Sequence, residues 1–308
     1  MATKSLKISE NKNIFEKNIT CVLFMVIISF LSCKYTKKCK RVCKTWNNNL
    51  KSKFSKKMLA LVPNNISNPE TLNLSFVPYT IFKIGNYIYA SCIRNVVKIN
   101  TVNSEIINVN NKNFQEYFIQ ANNNYICVKN KNYINILSIT ETPIRKIPIE
   151  KCRGFAIDKH NNILISTNYK FYIYNIEGKE INSWELVNDS SFRSRKIASD
   201  GKNIFMLDTS FHCVRVFSYN GELLKSWKLE GTSSGLINGS AGISTYRDLV
   251  FITNILYQKI QAFSSFGRLM FEYIDNFHDY KDIIIVEDHF YVSTLDSPCI
   301  IRFKFLYD

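Results

Sequence analysis

The residues of this 308-residue chain that could do chemistry on their own are few and scattered. Asp158, Asp200, Asp208 and Asp296 stand in or near breaks between apolar runs. A carboxylate there could act as an acid, a base or a ligand for a hard cation. In a turn its usual work is to accept hydrogen bonds from its own backbone. The four histidines, His160, His212, His278 and His289, are dispersed singly, and none sits at metal-ligand spacing. The nine cysteines are an odd number and include no Cys-x-x-Cys. Cys39 and Cys43 are four apart and would share a helix face. Free thiols in a reducing compartment, acting as small buried hydrophobes, account for this pattern. No phosphate-binding Gly-rich loop, Gly-x-Ser-x-Gly or His-Glu-x-x-His occurs. The expectation is a chain with no catalytic residues, no metal and no cofactor.

The elements that carry these residues fall into two unlike parts. Residues 1–60 hold fourteen Lys/Arg against only Glu10 and Glu16, which is 12 of the 15 net positive charges. The remainder is nearly neutral, so it offers no broad phosphate-binding surface, and nucleic acid is not the expected partner. Within the first part, residues 1–18 are polar and lysine-rich, and 19–33 are almost wholly apolar. Residues 34–57 are basic. A stretch with two prolines and three asparagines follows at 62–70. The expected organisation is a flexible basic leader (1–18), a small helical module (19–60), a linker (61–70) and a large β domain (71–308).

The β domain repeats itself. FYIYNIEGKEINSW (171–184), VRVFSYNGELLKSW (214–227) and IQAFSSFGRLMFEY (260–273) each contain an alternating strand, a glycine turn and a second strand ending in an aromatic. Before each lies another strand pair, at 154–167, 196–209 and 242–254, with weaker copies at 81–91, 117–129 and 283–294. Ile88, Ile126, Ile163, Ile204, Val250 and Phe290 mark the same place in successive copies, at spacings of 38, 37, 41, 46 and 40 residues. Six four-stranded units of this length predict a six-bladed β-propeller, because blades packed in a ring bury the faces that one blade cannot. The last repeat ends after its third strand, so TLNLSFV (71–77) is expected to supply the missing strand and close the ring. Asp158-x-x-x-Asn-Ile-Leu-Ile and VRVFSYNGELLKSW resemble the NHL type of repeat.

Residues 31–46, LSCKYTKKCKRVCKTW, resemble the second half of an F-box, which docks a substrate receptor onto the Skp adaptor of a cullin ubiquitin ligase. Leu31, Val42, Cys43, Lys44 and Trp46 fall in register with that pattern. Leu23, Ile27, Ile28 and Leu31 form an apolar stripe on the helix expected before it. The family usually opens with Leu-Pro-Asp-Glu, where this chain has Ile19, Thr20, Cys21 and Val22. The resemblance implies an α-helical module that binds the Skp adaptor through Leu23, Ile27, Ile28, Leu31, Val42, Cys43 and Trp46. It also implies a propeller that holds a protein target, and a cytoplasmic location (host cytoplasm, for a virus or intracellular parasite). A second reading stays open. The fifteen apolar residues 19–33 would span about 22 Å as a helix and suit a signal or anchor segment of a membrane-associated or exported propeller. A third is a buried helix packed on the propeller.

Overall fold

The computed structural model describes residues 65–92, 95–109, 118–186, 194–228, 241–274 and 278–306. The proposed helical module, with all seven of its docking residues, lies outside them. The strands are β1 (Asn65–Ile66), β2 (Glu70–Asn73), β3 (Thr80–Ile84), β4 (Tyr87–Ser91), β5 (Val96–Asn100) and β6 (Ile106–Asn108). Next come β7 (Phe118–Ala121), β8 (Tyr125–Lys129), β9 (Tyr133–Ser138), β10 (Pro143–Pro148), β11 (Gly154–Ile157), β12 (Ile163–Ser166), β13 (Lys170–Tyr174) and β14 (Glu180–Glu185). The last are β15 (Ser194–Ser199), β16 (Asn203–Asp208), β17 (Cys213–Ser218), β18 (Leu223–Lys228), β19 (Ile243–Tyr246), β20 (Leu249–Asn254), β21 (Lys259–Ser264), β22 (Leu269–Ile274), β23 (Tyr280–Val286), β24 (His289–Thr294) and β25 (Cys299–Leu306).

Five antiparallel sheets follow the chain in order: β3–β6, β7–β10, β11–β14, β15–β18 and β19–β22. The sixth joins β23, β24 and β25 to β1 and β2, the first described strands. The first strands touch in sequence, β3 to β7 to β11 to β15 to β19 to β23, and β23 touches β3. That closed circuit makes a six-bladed propeller with the first strand of each blade innermost.

The apolar core lies between blades, in six clusters among the described residues, one at each blade interface. Strand alternation explains this. In β16, Ile204 and Met206 pack toward blade 3, while Phe205 and Leu207 pack toward blade 5. In β20, Val250 and Ile252 face blade 4, and Leu249 and Phe251 face blade 6. Central strands covered on both faces carry continuous apolar runs such as LVFITN, in which every residue is buried. All six repeat markers, Ile88 through Phe290, fall on the second strand of a blade and are buried.

Ring closure occurs as expected, through a shorter strand. Residues 70–73, rather than 71–77, pair with β25, Leu72 opposite Ile300. Leu74 N still donates to Pro298 O at 2.7 Å, but the chain bends away at Ser75. Pro78, with no N–H, could not extend the ladder. Asn65–Ile66, inside the stretch taken as a linker, adds a second short pairing to Leu306 and Phe305. Arg302 Nη2 binds the Glu70 carboxylate across the seam. Leu72 is 6% exposed and sits in the blade 1–blade 6 core. Leu72→Ala is expected to cost about 2–5 kcal/mol, the usual range for a buried leucine. The measure is the urea midpoint. A loss under about 1 kcal/mol would mean the seam is no part of the cooperative unit.

Candidate functional site: the central channel and the crossover face

The two ends of the propeller differ in their loops. One face carries the turns between first and second strands and between third and fourth strands. These are short and tied down by side chains. Asp158 Oδ1 accepts from His160 N and Asn162 N, both at 2.8 Å. Its Oδ2 accepts from Asn162 Nδ2 at 2.9 Å and from the Tyr219 hydroxyl of the next blade at 2.7 Å. The Tyr219 hydroxyl also meets Ser199 Oγ at 2.7 Å, and Thr245 Oγ1 of blade 5 donates to Ser199 O at 2.8 Å. From blade 2, Asn122 Nδ2 donates to Asn161 Oδ1 at 2.9 Å. A polar chain thus stitches blades 2 to 5. Burial first, and then the Asp158 contact, push the Tyr219 hydroxyl far above its usual pKa. Asp200 caps Lys202 N and Asn203 N, both at 2.7 Å.

The other face carries the crossovers from one blade to the next, described at 74–79, 149–153, 241–242 and 278–279, together with the described turns between second and third strands. We call it the crossover face. Asp208 lies there, fully buried, pairing with Arg215 Nη2 at 2.8 Å and capping Ser210 N at 3.0 Å. Asp296 accepts from Asp279 N at 3.2 Å. All four aspartates singled out by sequence are therefore acceptors of backbone hydrogen bonds. The four histidines do not meet: His160 reaches Gly201 O, His212 lies in a turn with positive φ, His278 stacks near Tyr280 and His289 pairs with Asp288. Among the described residues no group of three or more His, Cys, Asp or Glu could hold a metal. Cys127, Cys152, Cys213 and Cys299 are buried free thiols, and burial raises Cys152 to about 11.

Two features went unseen in the sequence. The first is the channel. Its cavity, of volume ≈ 140 Å³, takes a wall residue from every blade, among them Ile81, Gln120, Ala156, Lys196, Thr245 and Asp282. Lys196 of blade 4 reaches across it to Asp282 Oδ1 of blade 6 at 2.8 Å. Asp282 Oδ2 accepts from Thr80 Oγ1 at 3.0 Å and from Ile81 N at 3.3 Å, both of blade 1. Asp282 thus joins three blades with a side chain that is 5% exposed. The β23 ladder breaks register just before it, between Tyr280 and Asp282. At that irregularity Lys281 points its Nζ under the Tyr79 ring, 3.6 Å from the centroid. Burial pushes the Lys281 ammonium down to about 8, with Asp282 opposing and Lys196 adding to the shift.

The second feature is a groove of volume ≈ 390 Å³ at the blade 2–blade 3 junction, lined by Pro148, Lys151, Asn168, Tyr169, Tyr172 and Tyr174. Tyr172 and Tyr174 leave β13 on the same side and stack at 5.9 Å, with Lys170 Nζ 5.0 Å from the Tyr172 ring. Tyr169, in the β12–β13 turn, is 62% exposed. The alternation in NYKFYIY (168–174) was a usable signal, since period two places the two β13 tyrosines on one face.

No protein-family model matches this chain, and no curated protein matches it. Solved structures do. Virginiamycin B lyase from Staphylococcus aureus superposes with a TM-score of 0.55 at 11% identity, covering 78% of this chain and 99% of that one. A protein of unknown function from Bacteroides caccae gives 0.49 at 15% identity, covering 65% of this chain and 78% of the other. BamB from Moraxella catarrhalis gives 0.46 at 9% identity, covering 73% and 69%. The first likeness supports the propeller fold and nothing beyond it.

Proposed function

We propose that this chain is a non-enzymatic binding protein whose propeller captures a protein partner on the crossover face. The observation that carries the reading is the groove at Tyr169, Tyr172 and Tyr174. Tyrosine supplies large contact area with few torsions to freeze, and aromatic side chains are enriched at protein interfaces over other surfaces. The channel favours the same reading from the other side. The one wall carboxylate among the described residues, Asp282, is occupied by Lys196, Thr80, Ile81 and Ile283 and has little capacity left for acid–base work. The resemblance of residues 31–46 to an F-box extends the proposal. The N-terminal segment docks the Skp adaptor of a cullin ubiquitin ligase in the cytoplasm, through Leu23, Ile27, Ile28, Leu31, Val42, Cys43 and Trp46. The propeller then holds the target close to the loaded ubiquitin, and proximity supplies the rate.

Affinity purification of the full-length chain tests both halves. The triple variant Leu31→Ala, Val42→Ala, Trp46→Ala is expected to lose an adaptor that the parent retains. Tyr169→Ala is expected to keep the adaptor and lose at least tenfold of the captured target. A parent chain that brings down no adaptor and sediments with membranes sinks the ligase half. It favours instead the use of residues 19–33 as an anchor or signal segment.

A further inference from the structure

At the crossover-face end of β23, beside the channel residue Asp282, stands an ammonium with no acceptor among the described residues. Lys281 is 8% exposed, and its Nζ makes no hydrogen bond among the described residues. An ammonium taken out of water without an acceptor is costly, and a ring face returns only part of that cost. The charges beside it do not change the sum. Lys196 and Asp282 neutralise each other at 2.8 Å, which leaves the single positive charge of Lys281. The local backbone is also unusual. Lys281 sits where β23 slips register against β24, and such irregularities re-aim a side chain. Tyr79, whose ring covers the fully buried Nζ, belongs to the β2–β3 crossover and is 40% exposed, so a group that displaces this ring reaches Lys281 from the loop-bearing face.

The geometry points to this place as the seat of one carboxylate delivered by the protein partner, held by the Lys281 ammonium beside the Tyr79 ring. The inference deepens the binding reading above and rests on it. A carboxylate fits better than a phosphate. One negative charge balances one positive charge, whereas a dianion would place excess negative charge beside Asp282 where little water screens it. The carboxylate could belong to an acidic side chain or to a chain terminus, and the two place the same group at Lys281.

The test is calorimetry on the full-length protein at about pH 8.5, run in two buffers of different ionisation enthalpy. Four probes are compared: acetyl-Gly-Glu-Gly-amide, acetyl-Gly-Gly-Gly with a free C-terminus, acetyl-Gly-Gln-Gly-amide and inorganic phosphate. At least one of the two carboxylate peptides is expected to bind, and which one does identifies the source. The Gln peptide is expected to be silent. Binding should take up a proton, because an acceptor at Nζ restores the ammonium that burial suppresses. That readout needs no variant. Lys281→Met is expected to weaken carboxylate binding at least tenfold, abolish proton uptake and leave thermal stability equal or higher. Binding of phosphate without either carboxylate overturns the proposal, as does equal binding by Lys281→Met, or silence of all four probes. If the probes fail while Tyr169→Ala still releases the captured target, the carboxylate seat is wrong and the binding reading stands. If the probes bind through Lys281 but no Tyr169 effect is seen, the carboxylate seat stands and the tyrosine groove is not where the partner docks.

Discussion

Asp282→Ala is expected to destabilise the propeller by about 3–5 kcal/mol, the range for removing one partner of a buried ion pair. Four donors lose an acceptor at once: Lys196 Nζ, Thr80 Oγ1, Ile81 N and Ile283 N. Lys196 suffers most, since its side chain is 13% exposed and its charge would lose the carboxylate it pairs with at 2.8 Å. Thr80 and Ile81 belong to blade 1, next to the seam where the first and last described strands meet. The loss therefore weakens the ring where it is closed by a short strand. Lys196→Met should restore part of the stability when added to Asp282→Ala, because it removes the stranded charge. A urea titration of both single variants and the double variant provides the cycle. Additive losses would show that the pair is not coupled and that Asp282 acts only through blade 1.

Gly267→Ala should cost about 3 kcal/mol, from two sources that a single structural feature combines. The residue has φ +82, which costs a residue with a side chain about 1–2 kcal/mol. A methyl there would also lie 2.5 Å from Cγ of Trp227, on the outer strand of the preceding blade, and overpacking adds about 1–3 kcal/mol. The same joint recurs one blade earlier, where a methyl on Gly221 would fall 2.7 Å from Trp184 Cδ2. Gly85 is the control. Its φ is +55 and nothing lies within 4 Å of the added methyl, so Gly85→Ala should cost only about 1 kcal/mol. At about 2–4 °C per kcal/mol for a domain of this size, thermal melts separate the two cases. Equal melting temperatures for Gly85→Ala and Gly267→Ala would refute the joint.

That joint was half legible beforehand. The glycines and tryptophans stand at matching places in the repeat, and a glycine in a tight hairpin announces positive φ. What period and turn chemistry do not disclose is that the tryptophan of one blade packs on the glycine of the next. The reason is that each repeat satisfies the same local requirements, so its pattern is written in consecutive residues, whereas the joint is a contact between repeats. The closing strand was legible for a related reason. A unit built on four strands that ends after three must find the fourth elsewhere, and the apolar stretch before the first repeat was free to supply it. Its length was not legible, because the bend at Ser75 and the proline at 78 limit it to four residues.

Local repetition accounts for the blades, their number, the marker positions from Ile88 to Phe290 and the turn-capping use of Asp158, Asp200 and Asp208. Each follows from residues near one another in the chain. The channel pair and the tyrosine groove arise otherwise. Lys196 and Asp282 are 86 residues apart, and they meet only because six blades close a ring whose bore a lysine side chain can cross. In the sequence Lys281-Asp282 looks like the polar edge of an apolar strand. The slip in β23 and the arrival of blades 1 and 4 turn it into a buried, charged centre. No pattern along the chain can encode that, since the partners are chosen by closure of the circle and not by neighbourhood in sequence.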